Sequence, residues 1–519
     1  MTSETAADPK FTQRFSLNLI TNVVSIGLST LIGIFLIPYF INTLGEIAYS
    51  LVPLATSVTS YVLLLTNALN TSVSRYLMIN LRGGKLTDAN QIYNTAFSTI
   101  FCTVIILLPI ALIIAQFSPY IFNIGEIAAS EVQLLFTLIF LSSLLTIISA
   151  NFTATLYAYN RFDLKNAVTI TQTALQIILI IVFFTYIKPS LVFIGIAYLI
   201  ASSIALILAI LLSRRTCKEL IFKKKFITKK SFVDLWVMTI WTVVKVLGCL
   251  LRSNAGLIIA NIVCGAIIGA HYAIIILWQT LLISLMASFS ILFNPVIFSH
   301  CARNERPELE RFLSLALRST VIATALIIGL LAVYAPEILT VWVGEEYANL
   351  AVFAILLIIP VLIQAPSDIL NNVMIAKLKF KQVALIYCAA GIITGIFSAL
   401  GGYFYGMVGI IIAGGIVMIL FEGGGIFVST AHLLEKKTSA LLIHLVPGII
   451  MLAVTVGIGY LVKLLFTGDT ILTLIIGVSI IALLSLIICT RLILSKEDRD
   501  SIRVCIPSRI ENKIPHWLL

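Results

Sequence analysis

The stretch WVMTIWTVVKVLGCLLRSNAGLIIANIV, residues 236–263, is apolar enough to lie in hydrocarbon, yet it carries Lys245 and Arg252. A helix that crosses a bilayer needs about 20 consecutive apolar residues, and this run supplies them around two cations. The seven-residue spacing is two helical turns, so both cations share one face, with Trp241 and Gly248 on the same stripe. An unpaired cation in hydrocarbon costs about 3 kcal/mol or more. The pair must therefore face an interior cavity or be neutralised by fixed carboxylates. Lys245, nearer the start of the run, could also snorkel to an edge.

The rest of the chain has the same character. Of its 519 residues, 60% are hydrophobic and 11% charged, where soluble domains carry roughly 25% charge. The composition is that of an all-α polytopic membrane protein, since β-barrel strands would show short alternating segments instead. Fourteen spans are predicted: 16–40, 47–78, 90–116, 131–158, 166–187, 190–213, 234–262, 268–298, 312–334, 348–375, 382–405, 408–432, 440–465 and 470–493. The first is too long for the core of a cleaved signal and reads as a retained helix. The eight cysteines, Cys102, Cys217, Cys249, Cys264, Cys301, Cys388, Cys489 and Cys505, form no C-x-x-C pair. That argues against a metal or redox site and for small buried side chains.

Charge sets the expected orientation. With a cytoplasmic N-terminus, the outer loops hold only Lys188 and Lys463 of the 34 basic residues. Both termini are then expected on the cytoplasmic side. The net charge of +11 reflects this topology and attraction to anionic lipid headgroups. The basic run at 214–230 is better read as a solvated linker than as a nucleic-acid patch.

An internal duplication is visible. SANFTATLYAYNRF (149–162) aligns without gaps with SDILNNVMIAKLKF (367–380), and TLGEIAYS (43–50) matches the region CGAIIGAHYA (264–273). The loops LRGGKLTDANQIYNTAFST and CARNERPELERFLSLALRST occupy matching places. The expected organisation is an N-lobe (1–213), a basic cytoplasmic linker (214–231), a C-lobe (232–433), two further helices (434–495) and a basic tail (496–519). Six spans separate the repeat starts, so the lobes are expected to be parallel, related by an axis along the membrane normal.

This layout resembles the multidrug/oligosaccharidyl-lipid/polysaccharide (MOP) exporter superfamily, in particular the Wzx-like O-antigen flippases of its polysaccharide-transport branch. The likeness covers the whole chain as six plus six plus two helices, and shows in the opening LNLITNVVSIGLSTLIGIFLIPYFINTLG. The resemblance implies a flippase that carries a polyprenyl-pyrophosphate-linked oligosaccharide to the outer leaflet by alternating access, through a cationic central cavity. It further suggests membrane lipids and glycan polymerase machinery as partners, and the last two spans as the border of a lipid groove. One chain already holds both lobes, so a monomer suffices.

Arg252 and Lys245 are the first candidates for holding pyrophosphate, because guanidinium grips phosphate bidentately and lysine acts as a point charge. Arg75 and Arg318 near inner span ends, and Arg14 before the first span, are second candidates, or are simple positive-inside anchors. Polar stripes accompany them. The first span carries Asn18, Asn22, Ser25 and Ser29; the second Thr56, Ser60, Asn67, Asn70 or Thr71, and Ser74; the eighth Gln279, Ser284, Ser288 and Asn294, with a bend expected at Pro295. Such stripes line a cavity or bond helix to helix. Asp368, in the stripe Gln364, Asp368, Asn371, and Glu422, in LFEGGGIF, could pair with the cations or couple transport to a proton or sodium ion. No other cofactor is expected. A Walker-type phosphate loop and a catalytic constellation are both missing from the sequence, so no enzyme is expected. The rival readings are a multidrug cation antiporter of the same superfamily, a lipid II-type flippase, or a non-transporting assembly protein.

Overall fold

The computed structural model describes residues 33–465 and 471–489, with Gly27. Arg14, Asn18, Asn22, Ser25 and Ser29 lie outside these. Among the described residues, eleven helices are long and apolar enough to cross a membrane. One of them, Phe380–Leu433, covers two predicted spans, and the shorter apolar helices Gly33–Leu44 and Thr473–Ile488 fall on the first and last. Every predicted span thus has a helical counterpart among the described residues, the first only over 33–40.

The chain packs as two compact units, residues 1–250 with 265–270, and residues 251–264 with 271–519. The first contains α1 (Gly33–Leu44), α2 (Glu46–Arg82), α3 (Leu86–Ile121), α4 (Ala129–Ala158), α5 (Phe162–Tyr186), α6 (Leu191–Thr216) and the start of α7 (Lys229–Cys264). α4 is the centre of this unit, packed on α2, α3 and α6. Its contact with α6 is close because Gly195 presents no side chain to Leu138; a Cβ there would stand 2.8 Å from the Leu138 Cβ. Hydroxyls tie the same pair: Ser142 donates to the Tyr198 carbonyl at 3.0 Å, and Thr155 and Ser213 share a bond of 2.7 Å. In the second span, Thr56 and Ser60 return their hydroxyls to their own helix, at the Pro53 and Ser57 carbonyls.

The second unit holds the end of α7, then α8 (Ala266–Ile291) from His271 onward, α9 (Asn294–Arg303), α10 (Arg306–Trp342), α11 (Ala351–Ile358) and α12 (Val361–Ala376). α13 (Phe380–Val417), a π-helical segment Met418–Gly425, α14 (Ile426–Leu433), α15 (Thr438–Leu442), α16 (Val446–Leu465) and α17 (Ile471–Ile488) complete it. The bend expected at Pro295 is a full break: α8 stops at Ile291 and Pro295 opens α9, where its missing N–H goes unneeded. α13 reverses at Gly406 (φ 59°, ψ −141°), a conformation closed to residues with a Cβ. The two arms meet backbone to backbone, and a Cβ on Gly401 would lie 2.5 Å from the Gly409 carbonyl oxygen. α16, the thirteenth predicted span, packs along α10 through small residues, Gly448 against Val321 and Gly459 against Val333.

The duplication reappears in the backbone. Gly45 (φ 87°) and Gly265 (φ 99°) each make a one-residue joint between two helices. Left-handed residues Gly84 and Asn304, Gly125 and Gly344, and Asn160 and Leu378 likewise recur roughly 220 residues apart. Helix ends and reversals are thus punctuated at the same places in both repeats, whatever residue is used.

Candidate functional site

The second unit encloses a polar cavity beside Arg252. Three helices supply it: α7 gives Arg252 and Ser253, α8 gives Tyr272 and Gln279, and α13 gives Thr394 and Ser398. About 20 Å³ of it is open to a water-sized sphere, room for roughly one water. Gly256 leaves space for the Tyr272 ring, whose hydroxyl would meet any Cβ there. Gln279 donates to the Leu357 carbonyl at 2.8 Å, where α11 ends and the helix bonding is broken ahead of Pro360. Thr394 and Ser398, one turn apart on α13, are almost fully buried, and neither hydroxyl has a hydrogen-bond partner. A buried hydroxyl without a protein partner is expensive, which makes this wall a candidate contact for a ligand or a water.

Arg252 is ion-paired through Nε to Glu422, with side chains 10% and 0% exposed. Nη1 of the same guanidinium lies 3.7 Å from the Met418 sulfur, a weak acceptor. Glu422 reaches this place because residues 418–425 are π-helical. A π turn shifts side chains out of the α register and recurs at functional sites. The glycines that follow permit it: a Cβ on Gly423 would overlap the Ile363 side chain.

The structure thus gathers three of the sequence candidates, Arg252, Glu422 and Gln279. Lys245 is half-buried, two turns earlier on α7. Arg75 is exposed on α2. Arg318, half-buried on α10, donates from Nε to His444 Nδ1 at 3.2 Å. Asp368 accepts from Gln364 at 3.1 Å on α12, which makes it part of a stripe within one helix. Asn294 heads α9 with its buried Oδ1 unpartnered. The side chain of Asn67 lies outside the described residues. Thr394 and Ser398 were missed by sequence reasoning, although GIITGIFSALGG carries them at helical i, i+4 spacing among small residues.

Comparison with known proteins places this geometry. A solved structure of the lipid II flippase MurJ, in an inward closed conformation, superposes with a TM-score of 0.69 over 92% of this chain and 99% of that one, at 14% identity. An inward-facing multidrug resistance MATE family transporter of the MOP superfamily gives 0.67 over 82% and 98%, at 12% identity. The fold is therefore that of the MOP exporters, in a multi-pass membrane protein. Residues 17–298, more than half of the chain, match the model of the polysaccharide biosynthesis protein family, and the chain belongs to that family. A Bacillus subtilis (strain 168) relative, "Uncharacterized membrane protein EpsK", is 26% identical over 339 residues, which is 65% of this chain and 67% of the relative.

Proposed function

We propose that the chain is a flippase, with no enzymatic step of its own. It carries a polyprenyl-pyrophosphate-linked oligosaccharide from the cytoplasmic to the outer leaflet of the inner membrane by alternating access. The observation that carries this reading is Arg252: a guanidinium inside a membrane segment, 10% exposed, at the wall of a polar cavity. Family membership supports a glycan cargo, and the fold supports transport. Glu422 balances the guanidinium's charge while the site is empty. A phosphate would take the guanidinium fork in its place, and the displaced carboxylate would then take up a proton or a sodium ion, which couples the two fluxes. Lys245, Arg75, Arg318 and Arg14 are secondary anchors for the diphosphate along its path, and Asn22, Ser25, Asn67 and Asn294 are further polar lining.

Glu422 itself favours the second reading, since a multidrug cation antiporter needs a buried carboxylate. A drug cation would have to displace a covalently tethered guanidinium, which weighs against it.

The test is flipping of a fluorescent polyprenyl-pyrophosphate glycan in proteoliposomes by wild type, Arg252→Ala and Lys245→Ala at matched insertion and thermal stability. Flipping should fall sharply in Arg252→Ala. Normal flipping in both variants would remove the anionic-cargo reading, and transport of a lipophilic cation by the wild type would put the antiporter in its place.

A further inference from the structure

The basic stretch after α6 is not a slack linker. Asn90 and Asn94, one turn apart on α3, bind it as a neighbouring β-strand would. Asn90 Nδ2 donates to the Glu219 carbonyl (3.1 Å) and its Oδ1 accepts from Ile221 N–H (2.8 Å). Asn94 Nδ2 donates to the Ile221 carbonyl (2.9 Å) and its Oδ1 accepts from Lys223 N–H (2.8 Å). Alternate residues 219, 221 and 223 are thus held against one helix face. Thr95 accepts from Thr228 N–H at 3.3 Å, Phe222 packs edge-on against Phe97 at 5.1 Å, and Cys217 and Leu220 are tucked inward. Four hydrogen bonds made by two asparagine side chains fix the backbone of this surface strap, and with it the points from which its side chains project.

Those side chains share a chemistry. Arg214, Arg215, Lys218, Lys223 and Lys225 are exposed, and between them Ile221, Phe222 and Ile227 are 49, 50 and 43% exposed. The single carboxylate, Glu219, accepts from the Tyr159 hydroxyl at 3.2 Å. The strap follows directly on a span, so it lies where hydrocarbon gives way to water. Cations interleaved with bulky apolar groups at that depth match a layer of anionic headgroups over acyl chains. We propose that the strap 214–227 is a docking platform for anionic phospholipid, with its cations on the headgroups, the apolar side chains seated at the interface, and the asparagine clamp setting their spacing.

The full-length protein in neutral detergent tests this by native mass spectrometry, with phosphatidylglycerol or phosphatidylcholine added. Wild type should retain phosphatidylglycerol selectively, and the selectivity should weaken as salt screens the charges. Lys223→Gln with Lys225→Gln should lower it by roughly fivefold for each charge removed. A control pair with exposed lysines elsewhere, Lys379→Gln with Lys381→Gln, should keep it. Asn94→Ala, which leaves every lysine in place, should lose part of it. Unchanged selectivity in the strap pair overturns the proposal. So does equal loss in the control pair, which would make retention a matter of total charge. Full retention in Asn94→Ala would overturn the role of the clamp.

Discussion

The two repeats share a skeleton, and one pair of buried polar side chains from each shows two ways of treating such groups. At Asn90 and Asn94 in the first, all four side-chain amide positions meet a backbone partner across the clamp. At Thr394 and Ser398 in the second, two hydroxyls face a cavity with no partner, next to a buried ion pair. A satisfied network rigidifies what it touches, whereas an unsatisfied one leaves free energy to be recovered when a ligand comes. The contrast separates scaffold from site more sharply than charge alone, since the strap has more cations than the cavity.

Breaking the ion pair should have the largest effect. Arg252→Met alone leaves Glu422 buried and charged, a loss of about 3–5 kcal/mol by analogy with other buried pairs. Arg252→Met with Glu422→Met should recover most of that in thermal unfolding, because two well-packed apolar side chains need no partner. Flipping should nonetheless stay down roughly 10- to 100-fold in the double variant, the worth of a charge-assisted phosphate contact. A stable double variant that flips like wild type would make the pair scaffold and erase the contrast.

Asn94→Ala comes next. It orphans the Ile221 carbonyl and the Lys223 N–H, and should cost about 1–3 kcal/mol in thermal unfolding. Cys217 reports the same event locally. Burial pushes its thiol up to about 11, so at about pH 8 it is protonated, covered and slow to alkylate. Release of the strap should restore the rate of an ordinary thiol. An unchanged labelling rate would mean that packing of Leu220 and Cys217, rather than the asparagines, holds the strap.

Ser398→Ala should move stability the other way. Its hydroxyl has no partner, so its removal is neutral or stabilising by up to about 1 kcal/mol. Transport is the informative readout: a several-fold fall in flipping alongside unchanged or higher stability would mark the hydroxyl as a ligand contact. A clear loss of stability would instead reveal a bond in the resting protein and place Ser398 with the satisfied groups.

The sequence shows where the spans lie because hydrocarbon admits little but long apolar helices. The one-residue joints at Gly45 and Gly265 were visible as matching short motifs, since both need a conformation that glycine adopts freely. That Glu422 could pair with one of the cations was legible; that it meets Arg252 in particular was not. The two residues are far apart in the chain, and the register that joins them is set by a π turn, which depends on packing at Gly423 more than on any local propensity. The strap escaped for a different reason. Asn90 and Asn94 stood at the right spacing, but their partners are backbone groups, which leave no trace in residue identity.

The smallest effect tests whether the repeats share a skeleton by conformation or by residue. Asn160 (φ 58°) and Leu378 (φ 59°) occupy the same turn after α4 and α12, in the left-handed region. Asparagine tolerates that region, whereas leucine pays roughly 1 kcal/mol to enter it. Leu378 is 88% exposed, so its side chain returns little by packing within the chain. Leu378→Asn should therefore raise stability by about 0.5–1 kcal/mol, seen as a small upward shift in thermal unfolding, while flipping stays unchanged. No gain would mean that Leu378 recovers its strain by dipping into lipid, and the comparison to make is then wild type against variant in bilayers of different thickness. A loss of flipping would go further and make that turn part of the moving machinery, which Asn160 in the first repeat gives no reason to expect.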